Sequence, residues 1–261
     1  MARIGANLSF MFTEVPFLDR YDAAAKSGFE GVEALLPYEA RAEDIAARLR
    51  ANGLQQVLLN TPSGNWDGGE RGIASLPGRE SEFREGVKKA LDYAGTLGCP
   101  TIHPVAGIMP PGAERARFDA TYRENLAFTA DLAAKQNVAV TIELINTRDI
   151  PGFFLRDLGQ MRQVLADVNR ANLKFQFDTY HVQIMHGDVT KHFEALFQQI
   201  GHIQVSGVPD RNEPDVGELN HDWLFRQFDR LGYAGWVCGE YRPRSGTVAG
   251  LGWAKRWGVG G

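Results

Sequence analysis

The stretch Val138-Ala139-Val140-Thr141-Ile142-Glu143-Leu144-Ile145-Asn146 (VAVTIELIN, 138–146) decides the fold. Its apolar and β-branched residues suit a buried strand, yet a glutamate stands among them. Alternate strand residues point to opposite faces, so Val140, Ile142 and Leu144 share one side and Ala139, Thr141 and Glu143 the other. An ionised carboxylate in apolar surroundings is costly unless a cation or several donors meet it. The question is what Glu143 faces.

Seven more strand-like runs lie around it: RIGANLS (3–9), GVEALL (31–36), QQVLLN (55–60), TIHPVAG (101–107), LKFQFDTY (173–180), HIQVSG (202–207) and WVCGEY (236–241). Helical patterns fall between them, over 17–27, 41–52, 80–97, 114–136, 157–169, 190–198 and 221–231. In 80–97, Phe83, Val87, Ala90, Leu91, Ala94 and Leu97 recur at three- and four-residue steps, and Gly98 and Pro100 then stop the helix. Strand–helix units of roughly 33 residues predict an α/β fold, a (β/α)8 TIM barrel made by one domain over residues 1–261. The rival doubly wound sheet lacks a GxGxxG turn after its first strand. The last unit is irregular: SGTVAGLGWAKRW is glycine-rich for a closing helix, and the terminal GVGG is expected to fray. The aromatics of GLGWAKRW either close the barrel or meet a second subunit, which leaves a homo-oligomer open.

The formal charge of −4 and a pI near 5.9 provide no broad cationic surface, which argues against nucleic acid or an anionic membrane as partner. Cys99 and Cys238, with no CxxC and no zinc spacing, read as reduced buried thiols. No apolar run reaches membrane-spanning length and the N-terminus lacks a secretory core, so a cytoplasmic, soluble protein is expected.

The alternation that turns Glu143 inward also turns Asp178, Gln204 and Glu240 inward at the C-terminal ends of their strands, where barrel enzymes place their chemistry. Asn7, Glu33, Asn60 and His103 read inward on the earlier strands. Carboxylates converging in one cavity repel each other and raise each other's pKa unless a cation intervenes. Three carboxylates and an amide carbonyl are oxygen donors, which fit one hard divalent ion, Mg2+ or Mn2+.

These strand ends lie within long strings that resemble the hydroxypyruvate isomerase family of xylose-isomerase-like barrels. The strings run from ANLSFMFTEVPFLDR (6–20) through GNWDGGERGIASLPGRE (64–80), IELINTRDIPGFFL (142–155), FDTYHVQIMHGD (177–188) and GHIQVSGVPDRNEPDVGELN (201–220) to GLGW (250–253). The resemblance implies metal ligands at Glu143, Asp178, Gln204 and Glu240, and an acid/base pair at Glu143 and Glu240. It implies interconversion of hydroxypyruvate and tartronate semialdehyde through an enediolate. A cousin, 2-oxo-tetronate isomerase, shares MFTEVPF, LPGRE and GELN, while GNWDGGERG and INTRDIPG resemble hydroxypyruvate isomerase. His221 stands where the pattern has tyrosine, and sugar epimerisation on the same scaffold is a further alternative.

A small 2-oxo or hydroxy acid needs a partner for its carboxylate, and Arg71 and Arg211 lie on loops at the active face. Asn7, His103 and His181 are the other candidate substrate-binding residues. Trp66 and FFLRDL (153–158) are candidates to cap the pocket, and His186, His192, His202 and His221 read as structural.

Overall fold

A computed structural model describes residues 2–260. Parallel strands β1 (Arg3–Asn7), β2 (Gly31–Glu33), β3 (Gln55–Asn60), β4 (Thr101–His103), β5 (Ala139–Ile142), β6 (Leu173–Asp178), β7 (Ile200–Val205) and β8 (Trp236–Gly239) follow one another in chain order. The sheet closes into a barrel when β8 pairs with β1, Gly5 opposite Cys238. Gly5 is required there: a Cβ would stand 2.5 Å from Cys238 Sγ.

Helices α1 (Asp19–Lys26), α2 (Ala42–Asn52), α3 (Glu80–Leu97), α4 (Arg115–Ala134), α5 (Leu158–Val168), α6 (Thr179–Met185), α7 (Val189–Leu196) and α8 (His221–Arg230) complete the order. The expected apolar stripe of α3 is buried, as are Val140, Ile142, Leu144, Phe175, Phe177, Ile203, Val205 and Val237 on the strands. A closed parallel barrel covered by helices buries both faces of its sheet, which is why these strands read as apolar runs.

The strands are shorter than the runs, because the chain leaves the ladder at the active face. After Ile142, the Ile145 N–H donates to the Leu155 carbonyl (3.0 Å), so Glu143 sits on the lip of β5. The LKFQFDTY run ends at Asp178, whose Oδ1 accepts the Tyr180 N–H at 2.8 Å and caps α6, a helix the strand-like composition concealed.

The C-terminal aromatics close the barrel. The segment Val248–Trp257 is a 3-10 helix, with Trp257 edge-on to Phe225 (4.6 Å between ring centres) and Trp253 buried. The expected fraying does not hold for Gly258–Gly260: Val259 is buried and the Gly260 N–H donates to the Ser27 carbonyl at 2.8 Å. Gly261 lies outside the described residues. Phe153, Phe154 and Leu155 are buried in the core, Phe154 packing on Phe118 and Tyr122, so that part of FFLRDL packs rather than caps. Cys99 and Cys238 are free and buried. Among the described residues no helix is long and apolar enough to cross a membrane.

Candidate active site

At the C-terminal mouth of the barrel a cavity of about 770 Å3 is lined by Asn60, His103, Glu143, His181, Arg211 and Glu240, among others. Glu143 and Glu240 stand on its wall, with Asp178 beside them through Arg211 and His181, and Gln204 behind Glu240, and all four are buried. Glu143 Oε2 is 3.9 Å from His103 Nδ1, and its Oε1 is 3.7 Å from His181 Nε2. His181 Nε2 is also 3.5 Å from Asp178 Oδ2. Arg211, on the loop after β7, donates from Nη2 to Asp178 Oδ2 (3.4 Å) and, in a short contact, to Glu240 Oε1. The Arg211 backbone adopts φ 57° and its guanidinium lies over the rings of Phe10 and Tyr180, at 4.8 and 5.1 Å.

Burial pushes the Glu143 carboxyl well above the usual carboxylate range, Glu240 and Asp178 push it further, and Arg211 opposes. Burial raises Glu240 to about 8 and Asp178 to about 6, in each case against the pull of Arg211. One guanidinium does not offset the desolvation and mutual repulsion of three carboxylates. Burial also holds His103 down at about 3, and burial with the nearby Arg211 holds His181 well below its ordinary value, so both rings are neutral.

Two donors of Asn146, the backbone N–H at 3.3 Å and Nδ2 at 2.8 Å, converge on His181 Nδ1. Nδ1 is therefore the acceptor, and the ring proton sits on Nε2 between Glu143 and Asp178. Four buried atoms of cavity residues have no hydrogen-bond partner among the described residues: Asn60 Oδ1, His103 Nδ1, Glu143 Oε1 and Arg211 Nε. Buried polar atoms left alone in a native fold call for an explanation, and a ligand is the usual one.

The donor set fits a hard divalent ion. Carboxylate oxygens of Glu143 and Asp178 lie within 4.8 Å of each other and carry an excess of negative charge, whereas His181 Nε2 beside them holds its proton and offers no lone pair to an ion. Gln204 is differently engaged: its Nε2 donates to Glu33 Oε1 (2.7 Å) and, in a short contact, to Glu240, while its Oε1 accepts from Gln176 Nε2 (2.6 Å). Its oxygen therefore faces Gln176 rather than the carboxylates, and metal ligation through it requires the amide to turn.

Asn7 stands behind Glu240 rather than on the cavity wall. Its Nδ2 donates to Glu33 Oε1 and Glu240 Oε2, both at 2.9 Å, and its Oδ1 accepts the Ser9 N–H. Arg71 lies at the rim, 4.4 Å above the half-exposed Trp66 ring, with Nη1 donating to the Trp66 and Glu70 carbonyls (2.9 and 2.7 Å). His202 is no isolated structural residue: its Nε2 is 2.8 Å from Glu33 Oε2, below the cavity floor. The signal for it was its parity with Gln204, two residues on.

His221 lies outside this cluster, with Nδ1 2.6 Å from the Pro214 carbonyl and Nε2 3.2 Å from Thr179 Oγ1. Burial pulls it to about 4 against the stabilising Pro214 carbonyl. The unfolded chain therefore binds this proton first as pH falls. The stability is complete above about 6.5 and declines down to about pH 4, by about 3 kcal/mol in all. The difference between the unfolding free energies from urea titrations at pH 7.5 and 4.5 is expected to shrink by about that amount in His221→Tyr relative to the native chain, and an unchanged pH dependence overturns the assignment.

A profile of the xylose isomerase-like TIM barrel family matches residues 21–257. The chain is 55% identical over 98% of both sequences to 2-oxo-tetronate isomerase of Cupriavidus necator. It is 44% identical to hydroxypyruvate isomerase of Escherichia coli, over 97% of this chain and 98% of that one. A crystal structure titled AP endonuclease, family 2 from Brucella melitensis superposes with a TM-score of 0.96, at 46% identity over 98% of this chain and 99% of that one. The chain therefore belongs to the hydroxypyruvate isomerase family of xylose isomerase-like TIM barrels, an enzyme of the isomerase class.

Proposed function

We propose that the chain moves a carbonyl between C2 and C3 of a short 3-hydroxy-2-oxo acid, interconverting hydroxypyruvate and tartronate semialdehyde through an enediolate. The observation that carries this is the set of four unpartnered cavity atoms, a mixture of donors and acceptors beside two carboxylates. Arg211 Nε is a free donor for a substrate carboxylate or carbonyl oxygen, and Asn60 Oδ1 is a free acceptor for a hydroxyl. Glu143 Oε1 has no hydrogen-bond partner among the described residues and, in the ionised form that a bound cation favours, takes a carbon-bound proton. His181 Nε2–H faces the same point and donates to an oxygen on which negative charge develops.

One of Glu143 and Glu240 removes the proton from C3 while the other returns a proton to C2, and the roles reverse in the back reaction. Glu143, Asp178 and Glu240 would hold a divalent ion such as Mg2+ or Mn2+, which supplies Lewis-acid stabilisation of the charge that builds on the substrate oxygens. Burial of the carboxylates excludes the water that would otherwise quench that charge.

The 55% identity to a 2-oxo-tetronate isomerase favours a second reading, in which the substrate carries one more hydroxymethyl group on C3. The proton transfers are the same. A cavity of about 770 Å3 has room for either acid. Action on a DNA phosphate is disfavoured, since an acidic cluster and a charge of −4 repel a polyanion.

The test is incubation with each acid and Mg2+ in D2O, followed by NMR and by kcat/KM for both substrates. Deuterium on the substrate carbon is expected together with the isomer carrying its carbonyl on C3, an aldehyde from the three-carbon acid and a 3-oxo acid from the four-carbon one. Binding without exchange, or an epimer as sole product, overturns the reading, and the kcat/KM ratio decides between three and four carbons.

A further inference from the structure

Below the cavity floor lies a buried polar cluster that the proposed chemistry does not use. Glu33 on β2 is fully buried, and its two oxygens are divided between neighbours. Oε1 accepts Asn7 Nδ2 at 2.9 Å from β1 and Gln204 Nε2 at 2.7 Å from β7, across the barrel. Oε2 faces His202 Nε2 at 2.8 Å. The same two amides also donate to Glu240 Oε2, Asn7 at 2.9 Å and Gln204 in a short contact.

Each amide is oriented by its other end. Asn7 Oδ1 is held by the Ser9 N–H at 2.9 Å, so Nδ2 has only the carboxylates to face. Gln204 Oε1 is held by Gln176 Nε2 at 2.6 Å, and Gln176 Oε1 in turn accepts from Thr141 Oγ1 at 2.9 Å. Without Glu33, both NH2 groups lose one of two acceptors, and each amide is held under Glu240 only by its oxygen end and by Glu240 itself.

We propose that Glu33, backed by His202, is a positioning residue that fixes the amides of Asn7 and Gln204 so that both grip one oxygen of Glu240, leaving the other oxygen to Arg211 on the cavity side. Glu33 touches no substrate. It acts through two hydrogen-bonded intermediaries, and its effect falls on the reacting geometry of Glu240 rather than on substrate affinity. The inference rests on the isomerase reading of the cavity, in which Glu240 moves a proton.

The geometry separates reach from charge. Glu33→Gln keeps an oxygen where Oε1 lies, and His202 accepts from the new amide in its other tautomer. Glu33→Asp keeps the charge but withdraws the oxygens by one methylene. Glu33→Leu removes both. Steady-state kinetics with hydroxypyruvate and with 2-oxo-tetronate are measured beside the native enzyme, together with melting curves and calorimetric titration of Mn2+.

Loss of a positioning contact of this kind is expected to lower kcat about 100-fold in Glu33→Leu, with KM changed less than about 3-fold. Glu33→Gln is expected to recover kcat to within about 5-fold of native, and Glu33→Asp to fall about 10-fold below the Gln variant. Should Glu33→Leu not fold, the order of Gln above Asp decides the matter. Equal damage in Gln and Leu, an Asp variant as active as native, a loss appearing in KM, or Mn2+ affinity falling in parallel with kcat overturns the inference. A native enzyme silent with both acids removes the isomerase reading itself, and the inference with it.

Discussion

Glu143→Gln and Glu240→Gln each lower the isomerisation rate by about 10²–10⁴-fold, the range expected for loss of a general acid or base. The substitution is close to isosteric, so packing in the buried site is retained, but the amide neither takes nor delivers the proton. Metal content measured on each variant separates loss of proton transfer from loss of the ion. The more informative readout is exchange in D2O. If the two carboxylates serve neighbouring carbons, the variant that retains the C3 base continues to exchange the C3 proton while forming no aldehyde. The other variant does neither. An isomerisation rate within tenfold of native in either variant, with its metal intact, excludes that carboxylate from the proton transfer.

The surroundings of the two glutamates differ in a way that bears on this experiment. Glu240 is gripped by Asn7, Gln204 and Arg211, so both of its oxygens already accept hydrogen bonds. Glu143 keeps Oε1 without a hydrogen-bond partner among the described residues, and neutral imidazoles stand 3.7 and 3.9 Å from its two oxygens. Unequal environments divide acid and base roles between chemically identical groups. Glu143 has the oxygen free to meet a substrate proton in the protein alone, whereas Glu240 must exchange one of its present contacts.

The barrel was legible because alternation in VAVTIELIN, LKFQFDTY, HIQVSG and WVCGEY separates helix-facing apolar residues from inward polar ones at a period of two. Glu143, Asp178 and Glu240 follow from that parity. What it cannot convey is which end of a side chain faces which neighbour. The orientation of Gln204 depends on Gln176 and Glu33, and that of Asn7 on Ser9. The Glu33–His202 pair joins residues 169 apart in sequence and on opposite sides of the barrel, so no local pattern reveals it. The helix Thr179–Met185 was concealed because the strand-like composition runs on through Thr179 and Tyr180, while the Asp178 cap that starts the helix was read only as a site residue. Stapling of the tail through Gly260 to Ser27 is likewise a long-range contact that glycine content alone obscures.

Arg211→Met is expected to destabilise the chelator-treated protein by about 3–5 kcal/mol, the cost of removing one partner from a buried ionic group. Methionine retains an apolar stem against Phe10 and Tyr180, so the loss is that of charge and hydrogen bonds. Asp178 and Glu240 then share a buried site with Glu143 and no guanidinium. On heating, the melting temperature of the variant falls by roughly 10 °C in EDTA, given about 2–4 °C per kcal/mol in a protein of this size. Adding Mg2+ or Mn2+ raises the melting temperature of both proteins, since the ion binds only the folded state. The rise is larger in the variant, because there the ion is the sole cation among the carboxylates and no longer shares them with a guanidinium. A variant melting within 2 °C of native in EDTA shows that the carboxylates protonate at little cost and need no cation. Equal metal-induced shifts in the two proteins show that Arg211 and the ion do not answer to the same carboxylates.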